Sequence, residues 1–590
     1  EIELVWFQQP HIAEWLQVGV LLRAFGTVKR SGKKLQLQSP EYEVEAADDE
    51  DEIQVGRIVP VYPATRGVPQ RALRTASHAV LELAEEVDGG PYDHFFPDGL
   101  APPESYRAIH FPDDFEQLAK ARDRFLFESL FSYASGLVFR RQQYRGVPAS
   151  RFGVTEELDQ KIRSVFPFVL SPEQDRVVAE IRRDLDGDVP MYRLLQGDVG
   201  TGKTAVSIYA ILVAVRAGRQ AALMAPTEIL AEQHVRTLRR LLSKYPVRID
   251  LLTGSSRAAG RQDTLDGLAS GAVHVLVGTH ALVQDSVQFA RLGLVVIDEQ
   301  HRFGVRERQR LFEKGDAPHL LVMTATPIPR SLCMTCYGDL DLSLIRERPG
   351  GQGVVTRTVA AGQQGRAFAA VREELARGRQ AYFVYPLVEE SEELALPAAS
   401  EALERLRGVF TGQSVDWVHG RMNAEEKEER LGRFRAGEIQ VLVATSVVEV
   451  GIDVPNATVL YLEDASRFGL AQLHQLRGRV GRGEHPGVCF VSTAGVSDEI
   501  KERLEVFAAT PDGFGLAEED LRRRGPGELL GRRQSGRPSR ALFQPLAHLD
   551  RFAEVRKLAD RFWAESENQP FRGLWSEHLP SDDADLSEFL

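Results

Sequence analysis

The sequence predicts an α/β protein in which two doubly wound parallel-sheet lobes follow a small β-barrel and a helical connector. Residues 166–345 and 350–505 each alternate short apolar strands with helical patterns, which is the β-α-β rhythm of a parallel sheet. The strands are predicted at 191–195, 221–225, 249–252, 274–277, 294–297 and 320–323 in the first region, and at 380–384, 414–418, 441–444, 459–462 and 488–491 in the second. Residues 1–62 instead carry short alternating strands with glycine turns, a pattern typical of a small barrel such as the OB-fold. Between these regions, residues 63–165 place apolar side chains at helical spacing and predict the connector.

The first lobe opens with a phosphate-binding loop. Residues 197–204 read G-D-V-G-T-G-K-T, with an apolar run before them and a helix-forming run after them. In this motif backbone N–H groups surround the phosphates, Lys203 supplies positive charge to the β- and γ-phosphates, and the Thr204 hydroxyl can ligate Mg²⁺. The N-terminus of the following helix also attracts anions. We therefore predict that ATP is bound by Gly197, Asp198, Val199, Gly200, Thr201, Gly202, Lys203 and Thr204.

A pair of carboxylates ends an apolar strand of the same lobe. Asp298 and Glu299 follow the run from Gly293 to Ile297, and ligands of open α/β sheets bind beyond the carboxyl ends of the strands. Asp298 is expected to hold Mg²⁺, usually through water, and Glu299 to deprotonate the attacking water. A lone Asp-Glu pair is more often a solvated turn, but its position downstream of a P-loop favours phosphoryl transfer.

The second lobe lacks a P-loop and contains arginines separated by glycines. Residues 475–483 read Q-L-R-G-R-V-G-R-G. Arginines in such a segment can reach across a cleft between two lobes to the γ-phosphate and stabilise the charge of the transition state. Arg479 and Arg482 are the candidates for this role, and an exposed basic loop is the alternative.

Length and composition describe an ordinary globular protein of several domains. The 590 residues are 43% hydrophobic and 27% charged, with a formal net charge of −13. No apolar run approaches the ~20 residues needed to span a bilayer, and three cysteines without a secretory signal favour the cytoplasm. Residues 15–40 nevertheless contain basic and no acidic side chains, and residues 521–540 are rich in arginine. Local basic surface of this kind determines binding to nucleic-acid phosphates.

Taken together, these motifs resemble the DExH-type helicase superfamily. The P-loop, the 298–301 segment Asp-Glu-Gln-His, the 324–326 segment Thr-Ala-Thr and the arginine segment follow the order and spacing of that superfamily. The resemblance covers roughly residues 166–490 and implies two RecA-like lobes that form a helicase motor.

The superfamily pattern also implies further site residues. Gln174, which follows Phe168 closely, would read the adenine of ATP. Thr324 and Thr326 would couple the nucleotide state to the grip on DNA, and Asp453 would face ATP from the second lobe.

Within the superfamily the sequence resembles the RecG family of branched-DNA helicases. Residues 512–536 resemble the translocation motif that RecG shares with the Mfd translocase, and Arg524 and Gln534 would there transmit lobe closure to the duplex. Residues 1–62 resemble the OB-fold wedge of the family, in which Phe7 matches the first of two stacking aromatic residues and His11 stands where the second is expected. Members of the family usually begin well before the wedge, so a helical N-terminal region is expected to be missing from this sequence.

The resemblance implies an ATP-driven translocase on double-stranded DNA that reverses stalled forks and migrates Holliday junctions in recombination and repair. It would work as a monomer with ATP and Mg²⁺, and single-stranded-DNA-binding protein is a candidate partner. Two alternatives stay open: an Mfd-like translocase that acts on stalled RNA polymerase, and an ATP-dependent switch that binds DNA without moving along it. The expected domains are the wedge (1–62), the helical connector (63–165), the first lobe (166–345), the second lobe (346–505), and the translocation motif with a C-terminal helical segment (506–590).

Overall fold

The computed structural model forms two compact units. The first consists of Glu1–Gly136, Gly536–Ser581 and Asp585–Leu590, and the second of Leu137–Ser535 and Asp582–Ala584. The structure describes residues 2–7, 9, 12, 16–32, 34–44, 53, 57–63, 67–81, 100–254, 258–299, 310–325, 333, 340–349, 353–386, 392–419, 422–445, 454–524 and 548–565.

Five short strands form the N-terminal β region of the first unit. They are β1 (Ile2–Val5), β2 (Leu22–Phe25), β3 (Val28–Ser31), β4 (Lys34–Gln38) and β5 (Glu41–Val44). β4 pairs in parallel with β1 and antiparallel with β3, while β2 pairs antiparallel with β5. The predicted turn between β3 and β4 contains Gly32 with a φ of +63°, in the left-handed region that glycine adopts readily. The expected small N-terminal β region is confirmed as two sheets, of three and two strands, among the described residues, and the closure of these strands into a barrel stays a prediction.

Helices follow the β region, as the apolar spacing predicts. They are α1 (Gln70–Leu81), α2 (Pro102–His110) and α3 (Phe115–Arg145). The buried face of α3 includes Phe127, Phe131 and Tyr133. Within the ranges that the structure describes, no helix has the length and hydropathy required to cross a membrane.

The first lobe of the second unit is a seven-stranded parallel sheet with helices packed on it. Its strand order is β12-β6-β11-β10-β7-β9-β8. The strands are β6 (Tyr192–Gly197), β7 (Gln220–Met224), β8 (Ile249–Leu252), β9 (Val275–Gly278), β10 (Leu292–Ile297), β11 (His319–Thr324) and β12 (Asp341–Ile345). The helices are α4 (Glu156–Arg163), α5 (Pro172–Leu185), α6 (Lys203–Arg216), α7 (Glu228–Leu241) and α8 (Ala258–Ala269), with a 3₁₀ turn at His280–Val283.

The second lobe repeats this architecture with six parallel strands in the order β13-β18-β17-β14-β16-β15. The strands are β13 (Val354–Val359), β14 (Gln380–Val384), β15 (Val415–Val418), β16 (Val441–Ala444), β17 (Ala457–Leu462) and β18 (Gly487–Ser492). The helices are α9 (Gln364–Ala376), α10 (Glu392–Val409), α11 (Ala424–Arg435), α12 (Leu470–Arg477), α13 (Asp498–Ala509) and α14 (Gly513–Arg524), with a 3₁₀ turn at Ala465–Arg467. The two predicted doubly wound lobes are therefore confirmed.

A C-terminal helix, α15 (Leu549–Ala564), completes the first unit. Its Phe562 ring lies 5.7 Å from that of Phe131, and its Phe552 ring lies 5.6 Å from that of Tyr133. These aromatic contacts bury the apolar face of α15 against α3, which explains why the end of the described chain packs on residues more than 400 positions earlier.

The central strands place the predicted site residues at one edge of the first lobe. β11 pairs with β6 so that Thr324 lies opposite Gln196, and with β10 so that Val322 lies opposite Ile297. Because all three strands are parallel, the P-loop, the carboxylate pair and the end of β11 leave the sheet on the same side.

A buried histidine connects strand β11 to the loop before β6. The backbone N–H of Met191 donates to His319 Nδ1 at 2.9 Å, so Nε2 carries the proton and donates to the Ser150 carbonyl at 3.2 Å. The ring lies edge-on to Phe152 at 4.6 Å. Burial lowers the pKa of His319 to about 4, so this imidazole is neutral in the folded protein at neutral pH.

We expect His319 to make the stability of the first lobe pH-dependent below pH 6.5. The unfolded chain binds the proton near the ordinary pKa of 6.5 and the folded chain only near 4, so stability present above pH 6.5 is lost as the pH falls to about 4. The loss is about 3 kcal/mol at most. His319→Asn keeps an acceptor for Met191 and removes the titration, and urea denaturation from pH 7 to 4 should therefore fall less steeply for the variant. The exposed His485→Asn is the control, and parallel curves for wild type and His319→Asn would contradict the assignment.

Candidate nucleotide site between the two lobes

The P-loop has the backbone conformation that its sequence predicts. β6 ends at Gly197, and α6 begins at Lys203 directly after Gly202, whose φ of +82° lies in the left-handed region. A Cβ atom at Gly202 would lie 2.2 Å from the Gln174 side-chain nitrogen, and one at Gly197 would lie 2.6 Å from the Thr201 hydroxyl. Gly202 therefore requires glycine for its conformation, and a side chain there would displace that of Gln174. Gly197 requires glycine for space, because a Cβ atom there would also lie 2.9 Å from the Ile345 carbonyl oxygen.

Lys203 is buried within this loop. Its Nζ donates to the carbonyl oxygens of Gly197 at 2.7 Å and of Asp198 at 2.9 Å. Burial lowers the pKa of Lys203, while the nearby charges of Glu299 and Asp298 act in the opposite direction. The ammonium group thus lies within electrostatic range of both predicted carboxylates.

The carboxylate pair emerges from β10 as expected, and its two members differ in environment. Burial acts to raise the pKa of Asp298, but the 2.9 Å hydrogen bond between its Oδ2 and His234 Nε2, together with the positive charge of nearby groups such as Lys203, outweighs burial and lowers the pKa. Burial and the charge of Asp298 together raise the pKa of Glu299. Glu299 has a φ of +55° and accepts from the Ala325 N–H at 3.5 Å. Asp298 is therefore suited to hold a cation and Glu299 to accept a proton.

The sequence did not lead us to predict His234 as the partner of Asp298, although its position in the chain indicates this role. It lies on α7, whose N-cap Thr227 accepts from the Leu230 N–H at 3.4 Å. His234 stands seven residues, or two helical turns, after this cap, and so lies on the same face of the helix. Residues 225–228, Ala-Pro-Thr-Glu, also match the superfamily pattern, and the helix that follows this match carries the partner of Asp298.

The donor atoms at this edge fit Mg²⁺. Thr204 and Asp298 offer a hydroxyl and a carboxylate, which are oxygen ligands of the kind that Mg²⁺ prefers. Among the described residues, no three His, Cys, Asp or Glu side chains gather into a metal site built by protein alone. Mg²⁺ in phosphoryl-transfer sites uses one or two protein ligands together with phosphate oxygens and water, so these two residues are sufficient for that role.

Gln174 contacts the P-loop from the start of α5. Its side-chain oxygen accepts from the Ser171 N–H at 3.0 Å, and its own N–H donates to the Ser171 hydroxyl at 3.3 Å, which forms a capping box. The side-chain nitrogen donates to the Thr201 carbonyl at 2.8 Å. Phe168, nearby in sequence, is exposed and packs one side on Phe166 at 5.7 Å. The contact of Gln174 with adenine stays a prediction.

The two predicted arginines of the second lobe face the first lobe. Gly478 approaches the P-loop so closely that a Cβ atom there would lie 3.0 Å from the Val199 Cβ. Arg482 Nε donates to the Gly478 carbonyl at 2.8 Å. Burial is the main cause of the lowered pKa of Lys203, and the charge of Arg482 acts in the same direction. Burial is also the main cause of the raised pKa of Glu299, and the charge of Arg479 opposes that rise. Both guanidinium groups therefore lie within electrostatic range of the phosphate-binding residues.

Asp198 joins the two lobes in a way that the sequence motif does not reveal. Its Oδ2 lies 2.6 Å from His474 Nε2 on α12 and 2.5 Å from Arg348 Nη2 in the segment between the lobes. Burial acts to raise the pKa of Asp198, but these two partners outweigh burial and hold the pKa far below its ordinary value. The motif predicts backbone contacts to phosphate at this position, whereas the side chain binds the second lobe.

The structure describes three of the seven remaining predicted residues. Thr324 is buried at the end of β11, Phe7 is exposed after β1, and Arg524 is the last residue of α14. Four residues lie outside the part of the chain that the structure describes, namely His11, Thr326, Asp453 and Gln534. The roles expected for all seven stay predictions.

We expect Gly202→Ala to weaken nucleotide binding by about 2- to 10-fold, the scale of one lost hydrogen bond between neutral groups, here from the Gln174 side chain to the Thr201 carbonyl. The new methyl group would collide with the Gln174 side chain, as the 2.2 Å approach indicates. Gly218→Ala is the matched control, because Gly218 follows the same helix with a φ of +73° and nothing within 4 Å of the added Cβ. Both variants carry left-handed strain of ~1–2 kcal/mol. Titration of a fluorescent ATP analogue separates them, and equal affinities for the two variants would refute the role of the Gln174 contact.

Comparison with known protein families gives three matches along the chain. Residues 171–335 match the DEAD/DEAH box helicase family, and residues 366–484 match the helicase conserved C-terminal domain. Residues 1–82 match the RecG wedge domain. The first two matches fall on the two α/β lobes, and the third favours RecG over the Mfd-like alternative.

Individual relatives are similar along most of the chain. The ATP-dependent DNA helicase RecG of Synechocystis is 43% identical over 557 residues, which cover 93% of this chain and 67% of that protein. RecG of Bacillus subtilis is 40% identical over 582 residues, covering 96% and 84%, and RecG of Escherichia coli is 41% identical over 564 residues, covering 92% and 81%. A solved structure of RecG bound to a three-way DNA junction is 37% identical, with a TM-score of 0.63 over 93% of this chain and 73% of that one. Sequence identity of 40% or more to these full-length relatives shows that the chain belongs to the RecG family of ATP-dependent DNA helicases.

Proposed function

We propose that this helicase uses ATP hydrolysis to move along double-stranded DNA and to remodel branched DNA, reversing stalled forks and migrating Holliday junctions. The observation that carries the proposal is the convergence of Lys203, Glu299 and Arg479 at one edge of the first lobe, with Arg479 supplied by the second. Hydrolysis at such a site depends on both lobes and can drive a change in their arrangement. The similar RecG structure contains a three-way DNA junction, which supports a branched substrate for this chain as well.

Each residue at the site has a role that its environment supports. Lys203 contacts the β- and γ-phosphates, and Thr204 and Asp298 would hold Mg²⁺, which when bound offsets phosphate charge. Glu299 accepts the proton of the attacking water, since its raised pKa makes it the stronger base of the carboxylate pair. Arg479 stabilises the charge that develops in the transition state.

Four further residues recognise the nucleotide or respond to it. Arg482 assists Arg479, and Gln174 and the exposed ring of Phe168 contact adenine. Because the Gln174 side chain also donates to the P-loop, base recognition would influence the phosphate end of the site. Asp453 faces ATP from the second lobe.

The DNA-binding roles rest on the wedge and on the segments that follow the lobes. Phe7 is 58% exposed beside the first strand of the wedge, which leaves its ring accessible for stacking on a base. Thr324 and Thr326 couple nucleotide state to DNA, and Arg524 and Gln534 transmit lobe closure to the duplex. The protein acts as a monomer in the cytoplasm, and its domains follow the boundaries predicted above.

Glu299→Gln should still bind ATP and should lose hydrolysis by about a hundredfold or more, the scale of a lost general base. Hydrolysis is to be measured with linear duplex, single-stranded, forked and four-way DNA, and we expect the branched substrates to stimulate the wild type most. Glu374→Gln is the control, since that partly buried carboxylate binds Arg379 and Thr458 within the second lobe. Near-normal turnover of Glu299→Gln, or equal stimulation by all four DNAs, would contradict the proposal.

Phe7→Ala should weaken binding to a fork by about 5- to 150-fold, because one base–aromatic stack contributes ~1–3 kcal/mol. Binding to linear duplex should change little, since no base is unpaired there. Phe25→Ala is the matched control, because Phe25 is also an exposed aromatic residue of the wedge, at the end of β2. Fluorescence anisotropy with labelled DNA measures each affinity. An equal loss for both variants, or for both DNAs, would count against a specific stacking role of Phe7.

A further inference from the structure

A chain of three buried polar side chains runs from the P-loop through the second lobe to the start of α14. It consists of Asp198, His474 and Arg477, and we call it the interlobe relay. The exposed fractions are 5% for Asp198, 0% for His474 and 2% for Arg477. None of the catalytic assignments above uses His474 or Arg477, although both belong to the helix that immediately precedes Arg479.

The first step of the relay crosses between the lobes. Asp198 Oδ1 accepts from the Val199 N–H at 2.6 Å, which holds the carboxylate to the P-loop backbone. Its Oδ2 contacts His474 Nε2 at 2.6 Å. The main-chain oxygen of Asp198 accepts from Lys203 Nζ at 2.9 Å. Both the side chain and the backbone of Asp198 therefore depend on the state of the phosphate-binding loop.

The second step has a defined direction. Arg477 Nη2 and His474 Nδ1 are 2.8 Å apart, and a guanidinium group can only donate. Nδ1 is therefore the acceptor, so Nε2 carries the ring proton and donates it to Asp198. A neutral imidazole satisfies both neighbours, and its orientation is determined by them.

The third step reaches the backbone before α14. Arg477 Nη1 donates to the carbonyls of Phe507 at 3.0 Å and of Thr510 at 2.9 Å, and Nη2 donates to the carbonyl of Pro511 at 2.9 Å. These carbonyls belong to the end of α13 and the turn that leads into α14. The guanidinium group also lies 4.6 Å from the centre of the Phe507 ring. Movement of Arg477 would therefore move the turn from which α14 begins.

A second set of contacts connects the same elements through the segment between the lobes. Arg348 shares Oδ2 of Asp198 with His474, and two residues earlier Arg346 lies 5.6 Å from the ring of Phe514 in α14. Glu173 accepts from the Arg346 N–H at 2.5 Å, next to Gln174 at the start of α5. The P-loop and the start of α5, where Gln174 lies, are thus both connected to the first turn of α14.

We propose that Asp198, His474 and Arg477 are positioning residues that transmit the state of the P-loop to α14. Phosphate groups bound at the loop bring negative charge towards the Asp198 carboxylate and compete for Lys203, and such effects are strong in a buried environment. Buried polar pairs seldom stabilise a fold more than apolar contacts would, whereas hydrogen-bond networks with two discrete arrangements can carry coupling between sites. This inference rests on the proposed function, because α14 ends at Arg524, which is proposed to act on DNA.

Two substitutions of His474 separate the steps of the relay. His474→Asn places an amide oxygen near the Nδ1 position, which keeps the acceptor for Arg477 and removes the donor to Asp198. His474→Gln places an amide nitrogen near the Nε2 position, which keeps the donor and removes the acceptor. His319→Asn is the matched control, because it removes a buried imidazole whose hydrogen bonds to Met191 and Ser150 do not involve the second lobe.

Two readouts are required. The first is the number of base pairs unwound per ATP hydrolysed on a fork. The second is the ratio of fork affinities with and without a non-hydrolysable ATP analogue, a coupling that is typically about 5- to 150-fold. We expect both His474 variants to keep nucleotide affinity and hydrolysis within about threefold of wild type, to unwind at least about tenfold fewer base pairs per ATP, and to show an affinity ratio close to one. His319→Asn should retain both wild-type values.

The outcomes distinguish the relay from the proposed function. A wild-type protein that does not unwind the fork would overturn the proposed function. Unwinding by wild type with unchanged coupling in both His474 variants would overturn the relay alone, and so would a parallel loss of hydrolysis and unwinding, which would indicate a role confined to the nucleotide site. If thermal denaturation shows that the His474 variants are unfolded, Arg348→Gln removes the other partner of Asp198 from a partly exposed position, and the same loss of coupling is expected.

Discussion

Parallel strand register is the constraint on which the rest of this structure depends. Thr324 lies opposite Gln196, and Ile297 lies opposite Val322, so β6, β10 and β11 end together at one edge of the first lobe. A slip of one residue would turn each side chain to the other face of the sheet. The P-loop, the carboxylate pair and the Ala325 N–H can meet there only because the register holds.

Burial of several charges at this edge is tolerated because each charge has hydrogen-bonding partners. An unpaired buried charge costs several kcal/mol. Lys203 donates to two main-chain carbonyls, and Asp298 is paired with His234 from α7. Asp198 takes its partners from His474 and from Arg348. The need to compensate charge in the first lobe thus also favours the position of α12, the helix that precedes the proposed catalytic residues Arg479 and Arg482.

The sequence predicted every central strand and the edge strands β8 and β15, and it missed the other two edge strands. The predicted limits of β8, β14 and β16 agree with the structure to the residue, and the other predicted strands of the lobes agree within two residues. Central strands are covered on both faces and so form continuous apolar runs. β12 and β13 lie at the edges of their sheets, and their polar residues, such as Asp341 and Arg357, interrupt the apolar pattern on which strand prediction depends.

The sequence by itself determined the chemistry of the site. Phosphate binding and hydrolysis require particular residue types at close spacing, so the P-loop, Glu299 and the glycine-arginine segment could be recognised without coordinates. Only the tertiary structure decided which side chains pair over long separations. Asp198 and His474 stand 276 positions apart, and Asp298 and His234 stand 64 apart. No local pattern encodes such pairs, because their geometry arises only when strand register and lobe packing bring the two segments together.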